Sequence, residues 1–131
     1  MKTAKLSLAQ IHTQVSDDFL SKIDYPYIRV ARIKTKNDLE NIPKNEYILV
    51  DSYVDGFGGE GVKISLDIFK NIDCSRFILA GGLTKEYLKQ IQDLNFYGID
   101  VSSGVESSKG IKSHQKIKEF LEIAKNITSI N

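Results

Sequence analysis

Residues 76–106 read RFILAGGLTKEYLKQIQDLNFYGIDVSSGVE, and this stretch decides the fold. Phe77-Ile78-Leu79-Ala80 is a short apolar run of the kind found in strands buried on both faces. Two glycines follow it, Thr84 stands where a helix N-cap belongs, and Leu88, Ile91 and Leu94 then recur near the helical period. A second run, Tyr97-Gly98-Ile99-Asp100-Val101, closes the unit. Strand, glycine turn, helix and strand in this order predict a parallel β-α-β unit with a right-handed crossover.

The same cadence extends to both sides. Candidate strands lie at 8–12, 27–33, 47–51, 76–80 and 97–101, and helical segments fall between them. Ser16 is placed to cap a helix carrying Phe19, Leu20 and Ile23, and Asn37 with Glu40 has the form of a capping box. Ser65 precedes a segment with Ile68, Phe69 and Ile72 on one face. Ser113 opens the last helix, where Ile117, Phe120, Leu121 and Ala124 recur at i, i+3, i+4 and i+7. The prediction is an α/β chain of about five parallel β-α units. Neither a low-complexity segment nor a composition break divides it, so residues 1–131 read as one domain.

Composition narrows the function classes. The 131 residues are 41% hydrophobic and 27% charged, with 18 Lys+Arg against 17 Asp+Glu and a formal net charge of +1. A chain of this length can bury a core without metal or disulfide support. Balanced charge with scattered lysines argues against a nucleic-acid face. The longest apolar runs, such as Tyr47-Ile48-Leu49-Val50, are far short of a membrane span. Cys74 has no second cysteine to pair with, and the start Met-Lys-Thr-Ala-Lys-Leu-Ser-Leu lacks the apolar core of a signal peptide. A reducing, cytoplasmic setting is the expectation.

In parallel α/β folds the ligand lies beyond the carboxyl ends of the strands. Here those positions hold His12, Asp51, Gly81-Gly82 and Asp100-Val101-Ser102-Ser103-Gly104. Glycines at a strand end let the backbone approach a ligand, and free N–H groups beyond them favour an anion. A tight β-to-α turn uses glycine as well, but Ser102-Ser103-Gly104 repeats the arrangement on the next strand, which raises phosphate binding above a plain turn. Asp51, where a buried strand opens onto the ligand side, has two readings. It is a general acid with a pKa raised by partial burial, or a carboxylate that braces the loop behind it. That loop, Asp55-Gly56-Phe57-Gly58-Gly59-Glu60-Gly61, is long and flexible enough for a lid over the site or for a mere connection. It is not a Walker loop, since Val62-Lys63-Ile64 follows Gly61. His12 and His114 have no Cys or His neighbour in sequence, so no metal site is expected. Cys74 precedes its strand, on the face away from the ligand, and reads as structural.

Ala9-Gln10-Ile11-His12, Ile48-Leu49-Val50-Asp51-Ser52, Gly58-Gly59-Glu60-Gly61, Leu79-Ala80-Gly81-Gly82-Leu83 and Gly98-Ile99-Asp100-Val101-Ser102-Ser103-Gly104-Val105-Glu106 occur in a familiar order. Together they resemble the phosphoribosylanthranilate isomerases of tryptophan biosynthesis. The tail from Lys109 to Ile117 resembles that family's closing Gly-x-Lys-Asp-x-x-Lys-Ile segment, and the likeness runs over nearly the whole chain.

The resemblance implies an eight-stranded (β/α) barrel, of which this chain matches strands four to eight. A whole barrel takes roughly 200 residues or more. Strands one to three would then lie outside the 131 residues. With them would go a Cys-Gly-Ile motif bearing the general base and an Arg that holds the anthranilate carboxylate. The implied reaction is a cofactor-free Amadori rearrangement of a phosphorylated aminoaldose. By the same resemblance Asp51 matches the general acid and Asp100 an aspartate near the anthranilate amino group. Gly81, Gly82, Ser102, Ser103 and Gly104 match a phosphate cradle, and Gly58, Gly59 and Gly61 a lid. Two departures are Val62-Lys63-Ile64-Ser65 after the lid, where Lys-Thr-Phe-Asp is common, and Thr13, where glycine is usual. The expected partners are a phosphosugar substrate and either an N-terminal part-barrel or a second copy of the chain, with neither nucleic acid nor membrane. A phosphate-binding part-barrel without catalysis is the alternative.

Overall fold

The computed structural model describes residues 4–12, 15–55, 61–63 and 65–127. Five parallel strands form its main sheet: β1 (Ala9–Ile11), β2 (Tyr27–Arg32), β3 (Ile48–Asp51), β6 (Phe77–Ala80) and β7 (Gly98–Ile99), in the order β1-β2-β3-β6-β7. Sequential neighbours all pair in parallel, as the repeated β-α cadence requires. Two antiparallel hairpins that the sequence reading did not foresee interrupt the repeat. One joins β4 (Tyr53–Asp55) to β5 (Gly61–Lys63), and the other joins β8 (Glu106–Ser108) to β9 (Ile111–Lys112).

The connecting helices are α1 (Asp17–Ser21), α2 (Lys36–Glu40), α3 (Lys85–Gln90) and α4 (His114–Ile127), and a 3₁₀ turn at Leu66–Phe69 replaces the helix foreseen after Ser65. Ser16, Ser65 and Thr84 act as N-caps, each hydroxyl accepting a first-turn N–H. Asn37 does not cap α2. The capping box there is Thr35 with Asp38, two residues earlier than the sequence suggested. Asp38 accepts the amides of both Lys34 and Thr35, and these bonds hold its carboxyl below the usual range.

The core lies between the sheet and the helices. Val50, Phe69, Cys74, Leu79, Leu88 and Ile91 are fully buried there, and Phe69 meets Phe96 edge to face at 5.2 Å. The opposite face of the sheet carries a smaller apolar group, Ile28, Leu49 and Ala80, with Val30 and Ile78 packed against it. Burial pushes the Cys74 thiol up to about 11, with Asp73 adding to the shift, so it stays protonated near neutrality. Two apolar positions read as core are not. Phe19 on α1 and Leu121 on α4 are each 52% exposed: α1 buries Leu20, and the buried stripe of α4 runs through Phe120, Ala124 and Ile127.

Candidate active site

Asp51 is the last residue of β3 and is half-buried. It shares a face of the sheet with Leu49 and so stands above the smaller apolar group. Ser52 locks the strand end: its backbone N–H and its hydroxyl both donate to the Ala80 carbonyl, at 3.0 and 2.9 Å. Behind it the phenol of Tyr87 is pushed up by burial, an effect the Ser52 hydroxyl partly offsets. In register, Asp51 lies opposite Ala80 on one side and Arg32 on the other. Arg32 follows Ile28 and Val30 at two-residue spacing, so an arginine that sequence reasoning passed over belongs to the same face as Asp51.

Past β6, Gly81 and Gly82 take φ of +92° and +60°, a conformation that side chains other than glycine rarely adopt. Past β7, Asp100 donates its backbone N–H to Leu79, and Ser103–Val105 forms a 3₁₀ turn. Gly104 is needed for a different reason. A Cβ there would stand 1.8 Å from the Leu83 carbonyl oxygen, so the two loops touch through backbone alone. Gly104→Ala is therefore expected to push the loops apart and to cost about 3 kcal/mol. Thermal unfolding should show a midpoint lower by roughly 10 °C. A melting temperature equal to that of the parent would show that the contact yields without cost.

A cleft of about 340 Å³ collects these residues, lined by His12, Leu49, Asp51, Ala80, Gly81, Gly82, Leu83, Asp100, Ser102, Ser103 and Gly104. Every residue of the expected catalytic and phosphate sets borders it. Two carboxylates and the two glycine-bearing loops therefore line one cleft. His12 is exposed and its ring bonds the Gln10 side chain. A larger cavity of about 540 Å³ lies beside Arg29, Ala31, Arg32, Asp38 and Ile42; it shares His12 with the cleft, but its lining includes neither glycine loop, nor Asp51, nor Asp100. Gly58 and Gly59 lie outside the described residues, as do the rest of 56–60 and Thr13. Gly61, expected in the lid loop, instead opens β5 and pairs with Asp55, so an antiparallel stem carries the glycine-rich segment.

The sequence profile of the N-(5'-phosphoribosyl)anthranilate (PRA) isomerases matches residues 1–123. The chain belongs to this family. The N-(5'-phosphoribosyl)anthranilate isomerase of Sulfurovum sp. (strain NBC37-1) is 45% identical over 122 residues, which are 93% of this chain and 62% of that protein. Phosphoribosyl anthranilate isomerase from Thermotoga maritima superposes with a TM-score of 0.76 at 28% identity, covering 95% of this chain and 64% of that one. A phosphoribosyl anthranilate isomerase solved with reduced 1-(o-carboxyphenylamino)-1-deoxyribulose 5-phosphate gives a TM-score of 0.70 at 26% identity, covering 95% and 62%. The chain thus spans a little under two thirds of the length of these relatives. Its five parallel strands and their helices correspond to that share of a (β/α) barrel.

Among the described residues no helix is long and apolar enough to cross a membrane, and no group of three His, Cys, Asp or Glu side chains is placed to hold a metal ion.

Proposed function

We propose that this chain supplies the phosphate cradle and the general acid of a phosphoribosylanthranilate isomerase, working on N-(5-phosphoribosyl)anthranilate. The observation that carries the reading is the one cleft that Asp51 and Asp100 line together with the two glycine-bearing loops. A substrate with both an anionic phosphate and a ring to be opened can use both kinds of group. In the rearrangement, Asp51 gives its proton to the furanose ring oxygen, the C1–O bond breaks, and the nitrogen lone pair forms a Schiff base. A base then removes the C2 proton, and the enolamine tautomerises to the aminoketose, so the substrate is isomerised with no net gain or loss of atoms. Asp100, across Ala80 from Asp51, accepts a hydrogen bond from the anthranilate amino group.

The phosphate rests on the amides of Gly82 and Ser103, where positive φ at Gly81 and Gly82 turns the backbone of the first loop. Titration with ribose 5-phosphate is expected to move the amide resonances of 81–84 and 102–105 selectively. Shifts confined to other residues would remove the phosphate site from this cleft. The lone, buried thiol of Cys74 supports a reducing, cytoplasmic setting.

A further inference from the structure

The cleft poses an electrostatic problem. Its described lining residues include Asp51 and Asp100 but no lysine or arginine, and a phosphate brings further negative charge into that acidic setting. Backbone dipoles, His12 and the hydroxyls of Ser102 and Ser103 are what this lining offers to the anion. A cation stands directly behind the cradle. Lys112, in β9, donates from Nζ to the Ser102 carbonyl at 2.8 Å, to Ser102 Oγ at 3.1 Å and to Glu106 Oε1 at 2.7 Å.

The surrounding bonds turn this contact into a strut. Glu106 also accepts the Gly110 amide through Oε2, and Gly110 holds a φ of +81° in the hairpin turn. The Lys112 ammonium, followed by that amide, keeps the Glu106 carboxyl below its ordinary range. Lys116 Nζ donates to the Glu106 carbonyl at 2.6 Å, and the Ser113 amide donates to the Val105 carbonyl at 2.8 Å. The tail segment from Gly110 to Lys116 is therefore the rear wall of the Ser103–Val105 turn. Two lysines against one glutamate leave a net positive charge there.

Ser102 is the link to the ligand. Its hydroxyl does not cap the 3₁₀ turn, and its oxygen accepts from Lys112, so its own proton is left to be donated elsewhere. We propose that Lys112 is the positioning residue of the anion cradle: it holds Ser102 with the hydroxyl proton turned to the cleft and supplies the positive charge that the lining lacks. The inference rests on the phosphate reading of the cleft and adds to it a residue that does not touch the ligand.

The test compares the parent chain with Lys112→Met, Lys112→Arg and Glu106→Gln. Inorganic phosphate is titrated at low and high salt with amide resonances as the readout, and amide hydrogen exchange is measured without phosphate. Lys112→Met should weaken phosphate about tenfold or more, flatten the salt dependence of binding, and speed exchange at Ser103–Val105. Lys112→Arg should recover most of the affinity because it keeps the charge and the reach. Glu106→Gln, which leaves Lys112 in place with a looser anchor, should weaken phosphate a few-fold and decides the matter if Lys112→Met does not fold. Unchanged affinity and unchanged exchange in these variants would overturn the proposal. If the parent binds no phosphate in the cleft, the phosphate reading fails separately. Exchange at Ser103–Val105 then still judges the hold of Lys112 on the turn, upholding it if faster in Lys112→Met and overturning it if unchanged.

Discussion

Asp51→Asn is expected to cut turnover about a hundredfold or more, in a protein that joins these residues to the three β-α units the family resemblance places before them. The amide keeps the shape of the carboxyl and the strand-end bonds of Ser52, which use the Ala80 carbonyl and not Asp51. What it loses is a transferable proton. Breaking the furanose C1–O bond leaves an alkoxide unless a proton arrives with the electrons, so the loss falls on the transition state and should appear in kcat. Phosphate affinity should not fall, because the substitution leaves the amides of Gly82 and Ser103 in place and adds no negative charge. A steady-state anthranilate-fluorescence assay beside a phosphate titration separates the two quantities. Near-normal turnover would return Asp51 to the role of bracing its loop.

The parts of this site that were legible in the sequence were those written in local pattern. Short runs of five to seven residues gave every parallel strand to within two residues at either end, β7 being the most shortened, at Gly98–Ile99. Once strands are placed, the residues beyond their carboxyl ends follow, and Asp51, Gly81, Asp100 and Ser103 indeed share one cleft. Capping read well where a hydroxyl directly preceded the helix, at Ser16, Ser65 and Thr84, and failed at α2. There Asn37 and Glu40 imitate a box that Thr35 and Asp38 form.

Contacts between distant segments left no local trace. Nothing in the sequence marks Gly104 as the point where one loop rests on the Leu83 carbonyl. Lys112 bonds Ser102 across a tight hairpin too short to show alternation, and the β4–β5 stem is hidden in the same way. Arg32 reads as a polar strand end until the register sets it opposite Asp51. Helical spacing alone assigned Phe19 and Leu121 to the core, because it cannot say which neighbours a helix has.

Those two exposures bear on the largest effect expected. The sheet order leaves one edge of β1 and one edge of β7 without a partner strand among the described residues. Exposed large apolar side chains lie in the segments that precede and follow both strands. Leu6 and Leu8 precede β1 and Phe19 lies on the helix after it, while Tyr97 precedes β7 and Ile111 and Leu121 follow it, each about half exposed or more. Unpaired edges flanked by apolar side chains favour association with another strand-bearing surface. The relatives are longer by about the share that three of eight barrel units represent, and three units inserted between β7 and β1 would pair both edges at once. The 131 residues alone are therefore expected to self-associate and to show no turnover, since the resemblance puts the base and the carboxylate-binding Arg on strands outside them. Adding a separately expressed piece of a relative with strands one to three should yield a compact one-to-one species. Activity should return with it, because the same piece brings the missing edge and the base together. Size-exclusion chromatography and the fluorescence assay, run with and without that piece, decide the matter. A compact, active monomer from these residues alone would defeat the expectation, and so would a one-to-one complex that stayed inactive.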